Sequence, residues 1–335
     1  MDSKLTRALM IGYLGVLGLG VLEGCVPYSI KKLDLEEQLI APMEVAQKNV
    51  DYFFERCLFT HIVDRDIKIR NYFSYIQEVA SDYTKLSSFP ITEHILVRAN
   101  SWIIDSLENT DHYRMMATGL PLVYDQRDLI ILHKDDTLFI PNERTARAIQ
   151  DTLDNTTLYV NIPEFELSIV EFGKIQYTFP VRVGVNKEKY LATAGEVIPL
   201  RTAVGIGEIV RIERNPWFVN PETGKPYKGT NRDDGTFTKI PQIPWMEPEI
   251  NGIRYGHLIH STTNPQTLGR PYSHGCIGTK EADAWRIYYN SELGTKVVFD
   301  YNLDVTDSLG NSIRLRDIYD RGRSYDLDRG TIFSE

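Results

Sequence analysis

The chain has few cysteines and no excess of positive charge. Its 335 residues include 3 cysteines, too few for the disulfide framework of an exported domain. Lys and Arg number 37 against 46 Asp and Glu, which gives a net charge of -9. A nucleic-acid-binding protein needs a concentrated basic face, and none is visible, so we expect no nucleic-acid partner. The chain also lacks internal repeats, and its composition of 42% hydrophobic and 25% charged residues is typical of a globular protein.

The first 24 residues differ from the rest. Lys4 and Arg7 precede an uncharged run of 15 residues, Ala8 to Leu22, which is short for a membrane-spanning helix of roughly 17–25 residues. A basic start followed by a short apolar run predicts a signal peptide over residues 1–24. The run ends in Leu-Glu-Gly-Cys, which resembles a bacterial lipobox apart from Glu23. Cys25 is therefore a candidate lipidation site, and a lipoprotein of the bacterial cell envelope (periplasm), anchored to the membrane, is expected; a plain signal or uncleaved anchor is the alternative.

Helical periodicity follows. Apolar residues recur at three- and four-residue steps over 35–57, 69–83 and 92–107, which predicts a helical domain over 25–118. Thr92 is the predicted N-cap of the third helix, and Cys57 is expected as a buried thiol on the first. Residues 119–155 read as a mixed connector, with short strands at 129–132 and 137–140 and a helix over 143–153.

From Thr157 the apolar period changes to two, which predicts a β-rich domain over 156–302 and an α+β fold overall. Strands are expected at 157–162, 165–169, 175–183, 208–212, 253–259 and 296–301, in a mixed sheet or sandwich. Residues 214–252 hold six prolines, and a long loop inside a compact domain is usually functional, so we expect a lid here rather than a surface insertion. Residues 303–335 form a polar C-terminal tail.

The sequence Ser273-His274-Gly275-Cys276 has the elements of thiol nucleophilic catalysis. The thiolate is the reactive form of cysteine, and a nearby imidazole can remove its proton. Gly275 allows close backbone approach, and N–H groups of the turn are candidate donors to an oxyanion. His257 and His260 are both candidate bases. On a regular strand they would face opposite sides, and composition alone does not choose between them.

The segment Ile259-His260-Ser261-Thr262, followed by Ser273 to Ile277, resembles the L,D-transpeptidase family (YkuD-like, ErfK/YbiS branch). In that family an I-H-G/S-T strand end precedes an S/T-H-G-C motif by about a dozen or more residues; here 12 residues separate His260 from Ser273. Supporting similarities extend the resemblance over about residues 156–302 and lie at 160–165, 178–184, 214–217, 269–270 and 294–297. The Cys motif is the specific part of this resemblance.

The resemblance implies a catalytic role for several residues. Cys276 matches the nucleophile and His260 the base, with the backbone carbonyl of Ser261 orienting the imidazole. His274 and Gly275 match the nucleophile turn. Candidate substrate contacts, from the motif and its neighbourhood, are Ser273, Arg270, Tyr272 and Trp217.

The implied reaction is transfer of a peptidoglycan stem peptide through a Cys thioester to an acceptor amine, with release of D-Ala. The acceptor is another stem, giving a 3–3 crosslink, or an envelope lipoprotein; with water the enzyme is an L,D-carboxypeptidase. No cofactor is needed. The sequence departs from the family at two places. The position after Ile277 is usually Arg or Asn in the family and is Gly278 here. The T-P-x-G turn of the family is also blurred, as Thr193-Ala194-Gly195-Glu196.

Two other classes of function stay open. His257, His260, His274 and Cys276 are nitrogen and sulfur donors close in sequence, which zinc accepts, although the usual ligand spacing is missing. A non-catalytic module that binds peptidoglycan is the second alternative. A disulfide between Cys57 and Cys276 would switch the enzyme off.

Overall fold

A computed structural model describes residues 57–227, 229–307, 309–325, 327 and 332–333. The predicted signal peptide, the lipidation site Cys25 and the helix expected over 35–56 lie outside these residues. Residues Arg56–Glu335 form one compact unit. No helix among the described residues is both long enough and apolar enough to cross a membrane.

Six helices are described. Thr92 caps the second helix as predicted, because its hydroxyl accepts a hydrogen bond from the Ile95 N–H at 3.2 Å. The helix expected over 92–107 is interrupted at Asn100, whose side-chain amide donates to the carbonyls of Leu96 and Phe139. The helices are α1 Ile69–Thr84, α2 Glu93–Ala99, α3 Trp102–Glu108, α4 His112–Ala117, α5 Glu143–Asp154 and α6 Glu281–Tyr289.

Strands account for most of the remainder. The first ten are β1 Cys57–Ile62, β2 Ile67–Lys68, β3 Ile130–Leu132, β4 Thr137–Pro141, β5 Thr156–Asn161, β6 Glu166–Glu171, β7 Lys174–Pro180, β8 Val183–Gly184, β9 Glu188–Leu191 and β10 Glu196–Pro199. The others are β11 Gly205–Glu213, β12 Thr230–Asn231, β13 Phe237–Thr238, β14 Trp245–Ile250, β15 Ile259–Ser261, β16 Pro271–Ser273, β17 Ile277–Thr279, β18 Lys296–Asp300, β19 Asp304–Thr306 and β20 Ser312–Arg314. The predicted α+β fold with a β-rich second part is confirmed.

An eight-stranded mixed sheet organises the β-rich part, in the order β17-β15-β14-β11-β18-β5-β6-β7. Two pairs are parallel, β15 with β17 and β18 with β5, and the others are antiparallel. The short parallel pair at the edge brings Ile259 opposite Ile277 and His260 opposite Gly278. This pairing carries the two predicted catalytic segments to one end of the sheet.

Two hydrophobic cores meet at α6. One contains the apolar faces of α1 to α3 together with Trp285, Tyr288 and Tyr289 of α6. The other covers the sheet and contains Ile287 of the same helix. Because one amphipathic helix supplies side chains to both cores, the helices before residue 118 and the sheet are packed against a shared element.

Several local predictions were wrong. Residues 253–258 form no strand; Ile253 and Tyr255 are exposed, Ile253 makes an isolated bridge to Ile250, and the strand is limited to Ile259–Ser261. The proline-rich loop ends earlier than expected, because Trp245–Ile250 is a buried central strand. Cys57 begins β1 instead of continuing a helix, is only partly buried, and is not joined to Cys276.

Candidate active site

A tight turn between β16 and β17 holds Cys276. The Ser273 hydroxyl donates to the Cys276 carbonyl at 2.6 Å and accepts from the Gly275 N–H at 3.2 Å. Gly275 has φ +106°, a conformation that favours glycine. Since Ser273 and the Gly275 N–H are bonded to each other, His274 and Cys276 remain the candidate oxyanion donors of the turn.

His260 lies on β15, the strand next to the one that follows the turn. Its Nδ1 lies 2.7 Å from the carbonyl oxygen of Ser261. Because a carbonyl only accepts hydrogen bonds, this contact places a proton on Nδ1 and leaves Nε2 of the neutral ring as a proton acceptor. The structure thus has the imidazole-to-carbonyl contact that the resemblance implies for Ser261.

Burial governs the protonation of both groups. Burial lowers the pKa of His260 to about 4, helped by the positive charge of Arg182 and opposed by the Ser261 carbonyl. Burial also raises the pKa of Cys276, against the effects of the Leu258 N–H, which donates to Sγ at 3.3 Å, and of Arg182. At neutral pH the resting site therefore holds a thiol and a neutral imidazole, not an ion pair.

His257 packs against Gly275, in the turn that holds Cys276. It is 6% exposed, and burial lowers its pKa to about 4. A Cβ added to Gly275 would lie 2.2 Å from the Nε2 atom of His257, so the imidazole fills the space left by the missing side chain. Tyr255 is exposed, and its ring stacks on His257 at 5.5 Å between ring centroids.

The segment between β11 and β14 reaches the site. The Phe218 ring lies 6.4 Å from the His260 ring, and the Glu222 carboxylate lies 3.2 Å from Nε2 of His274. The Thr230 hydroxyl hydrogen-bonds the Thr263 hydroxyl at 2.9 Å. These contacts agree with the lid expected from the prolines.

A buried ion pair connects the segment between β11 and β14 to α6. Arg232 is 3% and Glu281 is 1% exposed, and Arg232 Nη1 lies 2.7 Å from Glu281 Oε1. The other carboxylate oxygen of Glu281 accepts from the Gln126 side chain and the His112 N–H at 2.8 and 3.0 Å. Glu281 is the first residue of α6 and follows β17 closely. The segment between β11 and β14, the helices and β17 therefore meet at this residue.

The predicted substrate contacts have different surroundings. Trp217 is 75% and Tyr272 is 59% exposed, and Arg270 is also exposed, so all three have surface available to a ligand. Ser273 is buried, and both of its hydroxyl contacts serve the turn. The structure brings Cys276, His260, Ser261, His274 and Gly275 into one region.

Sequence reasoning missed two supports of the site. The Thr202 hydroxyl donates to the Gly275 carbonyl at 3.0 Å, and the Tyr319 hydroxyl bridges the Thr202 N–H and the Gly184 carbonyl. Tyr319 is buried, although it lies in the polar C-terminal tail. The second support is Arg182, which lies between the buried Val181 and Val183. A charged residue inside an apolar run was the sequence feature that could have identified it.

The donors considered for zinc are not assembled as ligands. Among the described residues, no three His, Cys, Asp or Glu side chains are grouped so that they could hold a metal ion. His274 instead faces Glu222, and His257 packs under Gly275.

Residues 155–299 match the family model of the YkuD L,D-transpeptidase catalytic domain. The resemblance to the L,D-transpeptidase catalytic domain drawn from the sequence is therefore confirmed for this part of the chain. No curated protein matches the sequence.

Similar solved structures are distant. An L,D-transpeptidase from Mycobacterium smegmatis is 15% identical with a TM-score of 0.29, covering 43% of this chain and 58% of that one. An L,D-transpeptidase from Xylanimonas cellulosilytica is 12% identical with a TM-score of 0.32, covering 71% and 97%. The catalytic domain of an L,D-transpeptidase from E. faecium is 18% identical with a TM-score of 0.28, covering 44% and 97%. The chain thus spans less than two thirds of the mycobacterial structure.

Proposed function

We propose that the protein is a cysteine L,D-transpeptidase that acts on peptidoglycan stem peptides, with Cys276 as nucleophile and His260 as base. The observation that carries the proposal is the His260 ring, held by the Ser261 carbonyl with Nε2 as acceptor, on the strand beside the Cys276 turn. The family match over residues 155–299 supports the same reaction class. His257 is set aside as base because it is packed under Gly275.

The reaction begins when His260 Nε2 accepts the thiol proton of Cys276. Sγ bonds to the carbonyl carbon at the L-centre of the third stem residue, and the oxyanion faces the N–H groups of the turn. The C–N bond to the terminal D-Ala then breaks, and the amine leaves with the proton from His260. An acceptor amine attacks the thioester, its proton passes to His260, and the C–S bond breaks to restore the thiol.

The acceptor decides which of three products forms. A second stem gives a 3–3 crosslink, a lysine of an envelope lipoprotein gives an attached protein, and water gives the carboxypeptidase product. The exposed Trp217 and Tyr272 leave surface for a peptide acceptor, which both the crosslink and the attached protein require. The Gly269-Arg270 loop supports the ErfK/YbiS branch.

Incubation with a tetrapeptide muropeptide tests the proposal. Wild type is expected to release D-Ala and form a dimer, while Cys276→Ala does neither and His260→Gln loses at least about 100-fold in rate, the usual scale of a general base. Equal D-Ala release by wild type and Cys276→Ala would refute it. A wild type that binds peptidoglycan without turnover would favour the non-catalytic module, and D-Ala release without dimer would favour the carboxypeptidase.

We further propose that the N-terminal segment is a signal peptide whose Cys25 is lipidated, placing the enzyme in the periplasm. The support is the basic and apolar pattern before Cys25 in the sequence. We expect the intact mass of the membrane-extracted protein to include the mass of a lipid, and the intact mass of the Cys25→Ala variant to lack it. An unmodified Cys25 in membrane-extracted protein would contradict this.

A further inference from the structure

The space that a side chain at position 278 would occupy is filled by the side chain of Arg182. Gly278 pairs with Arg182 through two backbone hydrogen bonds, at 2.9 and 3.0 Å. A Cβ at Gly278 would lie 2.5 Å from Nε and 2.8 Å from Cγ of Arg182. The Arg182 side chain therefore crosses the space that a side chain at 278, two residues beyond the nucleophile, would occupy.

The guanidinium of Arg182 faces the site without an acidic partner. Its Nη1 donates to the Thr267 hydroxyl at 3.1 Å, and its carbon Cζ lies 6.0 Å from the centroid of the Tyr272 ring. Its Nε is buried and makes no hydrogen bond, and none of the ion pairs among the described residues includes Arg182. The carboxylate whose charge acts on it, Asp233, instead accepts from the Asn264 side chain and the Gln266 N–H.

An unpaired, largely buried cation is unfavourable unless an anion completes it. Arg182 is close enough to both reacting groups for its charge to lower the pKa of Cys276 and of His260, although burial has the larger effect on each. An anion bound by Arg182 would thus lie next to the attacked carbonyl. The donor peptide presents one there, because the leaving residue ends in a carboxylate, and guanidinium groups bind carboxylates with two parallel hydrogen bonds.

We propose that Arg182, reaching across Gly278, binds the terminal carboxylate of the donor peptide and so determines which peptides are accepted. This inference rests on the proposed transpeptidase function. Arg182 then supplies, from the segment between β7 and β8, the cationic side chain that position 278 lacks.

Two donors separate this role from a structural one. The first is a tetrapeptide ending in a carboxylate, and the second is the same peptide ending in a carboxamide. We expect Arg182→Gln to lower kcat/KM on the carboxylate donor about 10- to 100-fold, the size of one hydrogen bond to a charged group. On the carboxamide donor, where wild type is already slow, the variant is expected to change kcat/KM by less than about 3-fold. Arg65→Gln, an exposed arginine paired with its neighbour Asp64, is the matched control and should match wild type on both donors.

A swap tests the position of the cation. The double variant Arg182→Ser/Gly278→Arg places the arginine on β17. On the carboxylate donor we expect its kcat/KM to be about tenfold higher than that of Arg182→Ser, or more. Circular dichroism establishes that both variants are folded. A folded swap variant no better than Arg182→Ser would overturn the claim that the space over Gly278 is the binding position.

The remaining outcomes distinguish this inference from the proposed function. Equal loss on both donors, with an active wild type, would show that Arg182 acts only on the thiol or the fold and would overturn the inference alone. A wild type that releases neither leaving group would overturn the transpeptidase proposal and the inference together.

Discussion

At the scale of single residues, the nucleophile turn depends on a glycine with two separate constraints. Gly275 has φ +106°, and its missing side chain leaves room for the His257 imidazole. The turn carbonyl is held by Thr202, which is bonded in turn to Tyr319. The turn that carries Cys276 is therefore positioned through the contacts of Gly275 with His257 and Thr202.

Gly275→Ala is expected to lower the free energy of unfolding by more than backbone strain alone, which is of order 1–3 kcal/mol. The added methyl would meet His257, so Gly256→Ala, with φ +70° and nothing within 4 Å of its Cβ, is the control for strain. The double variant Gly275→Ala/His257→Ala should regain part of the free energy of unfolding that Gly275→Ala loses. Urea unfolding measures all three variants, and an equal effect of Gly275→Ala and Gly256→Ala would contradict the packing role of His257.

The pH dependence of activity tests the environment of His260. Its pKa lies at about 4, so the imidazole stays neutral and able to accept a proton from neutral pH down to about pH 4. We expect the acidic limb of kcat/KM near pH 4, well below the ordinary imidazole value near 6.5. Because the charge of Arg182 contributes to this lowering, Arg182→Gln should move the limb to higher pH. A wild-type limb near 6.5 would contradict the assignment of His260, with its lowered pKa, as the base.

At the scale of elements, the lid is held at one end and open at the other. Arg232 and Glu281 are buried together, whereas Trp217 near the start of the segment is 75% exposed. The segment thus has a fixed part beside the helices and an exposed part beside the site.

Arg232→Met is expected to lower the free energy of unfolding by about 3–5 kcal/mol, because it leaves the Glu281 carboxylate buried without its cation. The double variant Arg232→Met/Glu281→Gln should lose less than Arg232→Met alone, since no buried charge is then unpaired. Arg65→Met, in an exposed pair, is the control, with an expected change within about 0.5 kcal/mol. A double variant less stable than Arg232→Met would refute this account of the pair.

The sequence predicted most elements, and its failures have physical causes. β14 was missed because Pro248 argues against a central strand. The partner strand β11 has an irregular register between Ile209 and Arg211, and Pro248 pairs with Ile209 there. This irregularity accommodates the N–H group that proline lacks. The strand expected over 253–259 failed because Gly252 and Gly256 have positive φ and turn the chain. Alternation alone did not reveal this.

The candidate site residues that are local in sequence were proposed from the resemblance, and their catalytic roles stay predictions; the contacts between residues distant in sequence were missed. The motif around Cys276 and the Ser261 carbonyl follow each other along the chain, so family resemblance identified them together. Arg182 reaches Gly278 through a strand pairing across 96 positions of sequence, and Thr202 and Tyr319 reach Gly275 in the same way. Such contacts depend on sheet register, which sequence periodicity does not fix.

At the scale of the whole molecule, the β-rich part is completed by the helices that precede it. Tyr72 of α1 accepts a hydrogen bond from the Tyr289 hydroxyl at 2.7 Å, and the Glu93 carboxylate of α2 accepts from Tyr288 at 2.8 Å. Arg214, at the start of the lid segment, lies 3.1 Å from Glu93 as well. Stability of the catalytic region therefore includes residues outside the family match.

A fragment of residues 155–335 is expected to unfold without a sharp thermal transition and to bind a hydrophobic dye. It would expose Trp285, Tyr288 and Tyr289, each at most 1% exposed in the protein, and each large apolar side chain contributes about 1.5–3 kcal/mol when buried. The control is the fragment 57–335, which retains the helices and should unfold cooperatively. A fragment 155–335 with the same melting temperature as the control would show that the helices are dispensable.

Covalent capture of the nucleophile tests the central claim most directly. The protein is incubated with a carbapenem, which acylates a reactive thiol of this class, and its intact mass and peptide map are measured. The account predicts one adduct, located on Cys276, that is absent in Cys276→Ala and forms much more slowly in His260→Gln. An adduct that persists in Cys276→Ala, or no adduct on folded wild type with either the carbapenem or a tetrapeptide donor, would contradict it.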